Sequence, residues 1–272
     1  MCRGKTVLAI LLPVILFLVV VPVLLGPPAL AQSSPRPGAG GPDRGSSRLF
    51  QRFVEDAGIV PGGWIEARYS YENLPEGRQH TLGPVVAFRL GDDVEAGLRF
   101  GFLDVSGREG PDGSGLSDID LYGKYRLEGR SPQFALGALL KVATAEEEEG
   151  LGTGANDVEL FGAYRAELAA VTLVANAGVR FNGDTDPPLA PTKDSLLLGG
   201  GILLPAAPAA TFSIEASYET RRLQGDHADG RLTIGIQTLG PTDRGGFRAA
   251  LGIPLTDGAP DLQLIVAGYL VY

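Results

Sequence analysis

The alternation of apolar and polar residues constrains the fold of this chain more than any other feature. In SDIDLYGKYRL (117–127), Ile119, Leu121, Gly123, Tyr125 and Leu127 are apolar or small, and polar residues stand between them. Strict alternation of this kind predicts a β-strand with one apolar and one polar face. About eleven further segments between residues 64 and 272 repeat the pattern, each over roughly ten residues.

Strand length and loop length together indicate a membrane barrel. A tilted strand of about ten residues is long enough to cross a bilayer. The segments are joined alternately by tight turns and by longer stretches rich in Gly, Pro and acidic residues, at 72–79, 104–116, 144–155, 182–194 and 222–229. We therefore predict an all-β, transmembrane, antiparallel up-and-down β-barrel of about 12 strands over residues 62–272, with both termini periplasmic. The alternative is a secreted soluble β-sandwich or lipocalin-like barrel with its apolar faces inward.

The first residues have the pattern of a secretory signal peptide. Arg3 and Lys5 precede a continuous apolar run over 6–26, and the small residues of ALA (29–31) offer a cleavage site. We predict a signal peptide over 1–31 and a mature chain that begins near Gln32; a retained membrane anchor is the alternative. Cleavage would remove Cys2, the only cysteine, so the exported chain could form no disulfide and no cysteine-ligated metal site.

Residues 32–61 are predicted to be a flexible periplasmic N-terminal segment. Its first half is rich in Pro, Gly and Ser. In its second half Leu49, Phe50, Phe53 and Val54 recur at helical spacing, which predicts a short amphipathic helix that ends before Pro61. This helix could be a plug or a periplasmic cap, or a linker helix that rests on the barrel rim.

The C-terminus is typical of a bacterial outer-membrane protein. Tyr272 ends the chain, and Leu264, Val266 and Leu270 share one face of the last alternating segment. A terminal aromatic residue on such a strand is expected to be read by the barrel-assembly machinery. The predicted location is therefore the bacterial outer membrane, and the predicted partners include its lipid.

An internal repeat leads to a resemblance with a known family. Residues 114–128 and 153–167 align without gaps, and the offset between them is one hairpin. With the residues that follow, they resemble the MetA-pathway of phenol degradation family over about 114–183. The family motif is matched by Lys141, Thr144, Gly152, Gly154 and Asp157, whereas Ala143 and Ala145 replace its usual Pro and Gly. The resemblance implies an outer-membrane barrel transporter and suggests aromatic or hydrocarbon solutes.

The polar faces of the strands supply the candidate functional residues. Inside a barrel these side chains could line a wet pore and orient polar solutes, or they could form ion-pair ladders that hold the wall together. As a set, their field would influence which solutes pass. The predicted inward-facing set is Glu66, Arg68, Glu95, Arg99, Asp118, Asp120, Lys124, Arg126, Lys141, Asp157, Glu159, Arg165, Arg180, Glu215 and Arg231.

Composition narrows the function further. Acidic residues outnumber basic ones by 32 to 23, which argues against a nucleic-acid partner. A Ser-His pair would have to use His80 or His227, the only histidines, and neither is near a recognisable serine nucleophile motif, so no enzymatic activity, cofactor or metal is predicted. We predict a channel or facilitator for a small-molecule solute, with aromatic or hydrophobic compounds as candidates. The alternative is a closed structural or adhesive barrel without transport, which a lumen packed shut by paired charges and residues 48–61 would favour.

Overall fold

A computed structural model of the protein describes residues 47–75, 77–107, 112–127, 131–168, 171–185, 191–223, 225–240 and 244–272. The predicted signal peptide (1–31) and residues 32–46 lie outside these ranges. The described residues form β1 (Gly63–Leu74), β2 (Gly77–Arg89), β3 (Val94–Arg99), β4 (Phe102–Gly107), β5 (Gly113–Leu116), β6 (Ile119–Arg126), β7 (Gln133–Val142), β8 (Asp157–Glu167), β9 (Thr172–Phe181), β10 (Ser195–Ala207), β11 (Ala210–Glu219), β12 (Asp229–Leu239), β13 (Gly245–Pro254) and β14 (Leu262–Val271).

The strands make one closed antiparallel barrel. Each pairs with its neighbours, and β1 closes the circle by pairing with both β2 and β14, from Trp64 opposite Val271 to Asn73 opposite Leu262. Since β3 with β4 and β5 with β6 are two halves of interrupted strands, twelve strands span the barrel. The predicted 12-stranded barrel is therefore confirmed.

The interruption between β3 and β4 has a local cause. It lies opposite Gly83 and Pro84 of β2, between the pairs Leu82–Phe102 and Val85–Arg99. Proline has no N–H to donate to the ladder, so regular pairing is lost at this point. Gly101 lies in this interruption, and Ser117 lies in the matching interruption between β5 and β6. The hydroxyl of Ser117 accepts a hydrogen bond from the N–H of Gly101 at 2.9 Å and so links the two strands at this level.

The two ends of the barrel differ in the length of their connections. The short-turn end carries the connections 90–93, 127–132, 168–171, 208–209 and 240–244. The long-loop end carries 143–156, 182–194, 220–228 and 255–261, together with two connections that are shorter than predicted, at 75–76 and 108–112. The loops predicted at 72–79 and 104–116 are mostly strand, because β1, β2, β4 and β5 extend into them.

The outer surface of the barrel is apolar. Large side chains such as Leu82, Leu160 and Ile234 are 58%, 52% and 54% exposed on it, whereas the polar residues between them point inward. This arrangement is the reverse of a soluble barrel and is that of a protein whose outer face contacts lipid. Among the described residues no helix is both long and apolar enough to cross a membrane.

Residues 47–62, here called the luminal segment, lie inside the barrel. The segment starts at the short-turn end, where Ser47 donates to the hydroxyl of Thr211. It reaches inward as far as Arg52, which pairs with Glu159 near the long-loop end. It returns to the short-turn end, where the N–H of Gly63 donates to the C=O of Tyr272. The segment is therefore a re-entrant loop rather than a linker on the rim.

The short helix predicted over 48–61 is not formed; these residues take turns and bends. The carboxylate of Glu215 accepts hydrogen bonds from the N–H groups of Phe50 and Gln51. The ammonium of Lys124 donates to the C=O groups of Val54, at 3.2 Å, and Asp56, at 2.7 Å. Because side chains of the wall satisfy these buried backbone groups, the segment does not need intrahelical hydrogen bonds. Its helical spacing of apolar residues reflects packing against the wall.

Candidate functional site

The candidate site is the lumen together with the segment that occupies it. Phe53, Val54, Ala57 and Val60 of the luminal segment are almost completely buried. They share one apolar cluster with side chains from the inner faces of six strands: Trp64, Val85, Ala87, Tyr122, Ala135, Leu139, Phe161, Ala163 and Tyr269. The core of this protein therefore lies inside the barrel, between the wall and the luminal segment.

One carboxylate of the segment is held by cations of the wall. Asp56 is fully buried and its carboxylate lies 2.8 Å from the guanidinium of Arg165 on β8. Burial alone would raise the pKa of Asp56, but attraction by Arg165, Arg48 and Lys124 outweighs it and lowers that pKa below its ordinary value. Asp56 is therefore ionised, and the pair is a buried salt bridge whose separation would leave an unpaired charge in the lumen.

In a second buried ion pair the charges are reversed: the segment provides the cation and the wall provides the carboxylate. Arg48 lies 2.8 Å from the carboxylate of Glu95 on β3, which also pairs with Lys124 at 3.1 Å. Glu95 in addition accepts a hydrogen bond from the N–H of Val60 at 2.8 Å. Because Glu95 binds both limbs of the re-entrant loop, it fixes their separation.

Arg248 of β13 contacts the segment in two ways. Its guanidinium donates to the C=O groups of Arg48 and Leu49 at 2.7 and 2.9 Å, and it pairs with Glu66 at 2.8 Å. The same guanidinium lies over the ring of Phe50, 4.2 Å from the centroid. A cation at this distance from an aromatic face is attracted to it, more strongly where water is excluded.

Close approach at Phe50 requires a glycine in the wall. Gly235 of β12 faces this ring, and a Cβ at that position would overlap it. The opening at Gly235 lets the aromatic side chain of the segment lie directly against the backbone of the strand.

A chain of charges continues from the tip of the segment along β8, β9 and β11. Arg52 pairs with Glu55 at 3.2 Å and with Glu159 at 3.3 Å. Glu159 also pairs with Arg180 at 2.8 Å, and Arg180 with Glu219 at 2.9 Å. The tip is therefore joined to a network that extends to the long-loop end.

A separate cluster lies at the long-loop end. Lys141 is 3.4 Å from Asp118 and 2.9 Å from Asp157, and Asp157 also binds Arg222. Asp118 accepts hydrogen bonds from the N–H groups of residues 144 and 145, both at 3.1 Å. The cluster therefore ties the 143–156 connection to the rim of the barrel.

The predicted residues divide into three groups by their position. Those that touch the luminal segment are Glu95, Lys124, Glu159, Arg165 and Glu215, together with Arg68, which donates to the C=O of Phe50 at 3.1 Å and pairs with Glu66. Those away from it on the long-loop side are Asp118, Lys141, Asp157, Arg180 and Arg231, and the pair Arg99–Asp120, whose charged atoms are 2.5 Å apart. Arg126 lies apart from both groups, at the short-turn end, where it pairs with Asp93 at 2.9 Å.

Two parts of the site escaped the sequence analysis. Arg248 was not included in the inward-facing set, although Phe247, Ala249 and Leu251 alternate around it and would have placed it there. The contacts of Arg48 and Asp56 could not be found, because their partners Glu95 and Arg165 are distant along the chain.

Comparison with known proteins supports the fold. No family model and no curated protein matches the sequence. An outer membrane channel from Pseudomonas putida matches the structure with a TM-score of 0.67 at 15% identity, over 82% of this chain and 100% of that chain. The NanC porin matches with a TM-score of 0.54 at 7% identity, over 76% and 98%. The KdgM porin in complex with disordered oligogalacturonate matches with a TM-score of 0.53 at 12% identity, over 77% and 99%.

Fold and surface agree on where the protein resides. The closed antiparallel barrel is shared with outer-membrane channels and porins, and its outward apolar face can be accommodated only in lipid. The protein is an outer-membrane β-barrel.

Proposed function

We propose that the protein is an outer-membrane channel for small molecules and that its luminal segment must move for solutes to pass. The observation that carries the proposal is the kind of contact that holds the segment. Its described contacts with the wall are ion pairs, hydrogen bonds of side chains and apolar packing. Among the described residues, backbone pairing between segment and wall is confined to the end of the segment, where the N–H of Arg89 donates to the C=O of Gly62 at 2.8 Å. Contacts of this kind can be exchanged for water without breaking the backbone ladder that closes the barrel.

The orientation that fits this proposal puts both termini and the short-turn end in the periplasm. An exported N-terminus then reaches the lumen directly, because the luminal segment starts and ends at the short-turn end. The C-terminal strand, which ends at Tyr272, would be read there by the barrel-assembly machinery. The long loops, including the acidic residues 146–149, would face the outside of the cell.

Aromatic or hydrophobic compounds are the solutes we propose. The resemblance of residues 114–183 to the MetA-pathway of phenol degradation family supports this choice, and we propose that the chain belongs to that family. The apolar cluster within the lumen supports it as well, since Leu139, Phe161 and Tyr122 of the wall form an apolar inner surface where the luminal segment packs.

A closed structural or adhesive barrel is the second candidate function. The packing of the luminal segment favours it, because Phe50, Phe53 and Val54 are each only 1% exposed and the charges around them are paired. In this alternative the segment would never leave, and the lumen would serve only as the core of the protein.

Single-channel conductance in a planar bilayer distinguishes the two candidates. We expect residues 32–272 to give rare, small openings and a variant without 48–61 to give long, larger ones. Heat-modifiable migration on a gel would show that both proteins are folded barrels. A folded variant that lacks 48–61 and conducts no ions would contradict the channel and support the structural barrel.

A further inference from the structure

We propose that the part of the wall occupied by Phe53 and Asp56 is a binding site for aromatic carboxylates, and that the luminal segment imitates such a solute. This inference rests on the proposed function, since a solute must enter the lumen to reach the site. It adds two things: the chemical class of the solute, an aromatic ring joined to a carboxylate, and a competition between solute and segment.

The ring of Phe53 lies among apolar side chains that belong to the wall. Its centroid is 5.4 Å from that of Trp64, and it shares a cluster with Tyr122, Leu139 and Phe161. Rings at this separation attract each other beyond the effect of burial alone. A free aromatic solute would find the same surface if Phe53 were displaced.

Two cations of the wall bind the acidic end of the same stretch. The carboxylate of Asp56 lies 2.8 Å from Arg165, and Lys124 donates to the C=O of Asp56 at 2.7 Å. Arg165 also pairs with Glu167 at 3.6 Å, and Lys124 with Glu95. The guanidinium geometry suits a carboxylate, so the anionic group of a solute could take the place of Asp56.

The wall also contains groups that would draw the segment back. Glu215 is buried, and its carboxylate accepts hydrogen bonds from the N–H groups of Phe50 and Gln51. Glu95 likewise accepts from Val60 and pairs with Arg48. An aromatic carboxylate supplies none of these donors, so it would displace the segment only while its concentration is high. This reversibility is what a solute-operated channel needs.

The test uses the full mature chain in detergent, with 3-phenylpropionate as the probe and 3-phenylpropan-1-ol as its uncharged match. Trp64 is the only tryptophan of the chain and contacts Phe53, so quenching of its fluorescence by acrylamide reports whether the segment is in place. We expect the acid to raise the quenching constant with saturation, and the alcohol to have little effect at the same concentration. An equal response to both compounds would overturn the proposal.

Variants show whether the acid competes with the luminal segment for one site or only loosens the packing inside the lumen. Asp56→Asn and the milder Phe53→Leu each weaken the segment as a competitor, so each is expected to lower the half-saturating concentration of the acid about tenfold. Arg165→Gln is expected to abolish the preference for the acid over the alcohol, whereas Arg221→Gln, which removes an exposed arginine of the 220–228 connection, should preserve it. Unchanged half-saturation in both segment variants, or a retained preference in folded Arg165→Gln, would refute the proposal.

Conductance measurements distinguish a failure of this binding site from a failure of the proposed channel function. A protein that conducts when 48–61 is removed, but whose Trp64 does not respond to 3-phenylpropionate, would be a channel without this site. If the protein conducts in none of these forms, the proposed channel function is wrong, and the binding-site proposal that rests on it is wrong as well.

Discussion

The indole of Trp64 stacks on the ring of Tyr269 with centroids 4.3 Å apart and an interplanar angle of 3°. Trp64 belongs to β1 and Tyr269 to β14, so the pair lies on the inner face of the seam where the first and last strands close the barrel. Phe53 of the luminal segment lies against the same indole. The seam and the segment are therefore in contact at a residue that fluorescence can observe.

We expect Phe53→Ala to expose Trp64. Removal of a buried phenylalanine side chain typically costs about 3–5 kcal/mol, and here that loss weakens the docking of the segment rather than the strand ladder. Acrylamide quenching should increase severalfold while the circular dichroism of the barrel stays unchanged. Phe134→Ala is the matched control, because this ring is 43% exposed on the outer side of β7. Equal quenching of Trp64 in both variants would show that the segment does not shield the indole.

We expect Gly235→Val to displace the luminal segment by overlap. A Cβ at Gly235 would meet the ring of Phe50, and valine fits the backbone of a β-strand well. The variant should fold as a barrel and show more frequent or larger conductance steps than the parent protein.

Gly268→Val provides the control for this experiment. Gly268 is exposed on β14, and a Cβ there would meet nothing within 4 Å. Its conductance should equal that of the parent protein. If Gly235→Val also behaved like the parent, Phe50 would not hold the segment in the lumen.

The barrel could be predicted from the sequence because strand periodicity is local. Alternation such as that of 117–127 identifies both faces of a strand without knowledge of its partners. The ends of strands were harder to place, because residues 72–79 have the composition of a loop but β1 and β2 continue through most of them. The interruption of β3 and β4 was missed as well, since it depends on Pro84 of the neighbouring strand.

The luminal segment could be recognised only as a stretch that buries apolar residues. The spacing of Leu49, Phe50 and Phe53 signals a buried face but does not identify what covers it. Phe50 is held by Glu215, which is 165 positions away in the chain. Periodicity carries no information on such pairings, and this is why a helix was predicted where the wall imposes turns.

We expect Arg165→Glu to release the segment and to increase the preference of the pore for cations. The substitution would place a second carboxylate beside Asp56, where Arg165 now lies at 2.8 Å, and like charges this close repel strongly where water is scarce. The measurement is the reversal potential in a KCl gradient, together with the conductance. Combining it with Asp56→Arg restores an opposite-charge pair and should return both values toward those of the parent protein.

Arg126→Glu tests the same charge reversal away from the segment. Arg126 pairs with Asp93 at the short-turn end. We therefore expect a smaller change in the reversal potential and no release of the segment, as judged by the quenching of Trp64. A release equal to that of the Arg165 variant would show that the effect arises from net charge and not from the Asp56 pair.

Arginine at an outward-facing position should impair membrane insertion. Leu160 is 52% exposed and Leu121 is 36% exposed on the outer surface, and each lies within a spanning strand. Arginine on the lipid face near the bilayer midplane costs about 2–4 kcal/mol, whereas on the inner face it can be solvated or paired. We expect Leu160→Arg and Leu121→Arg each to lose about this much folding free energy in a urea titration into lipid vesicles. Ser217→Arg, at a half-buried position on the inner face of β11 between Glu215 and Glu219, is the control and should lose less. Insertion of both leucine variants as readily as the parent protein would mean that these faces do not contact lipid.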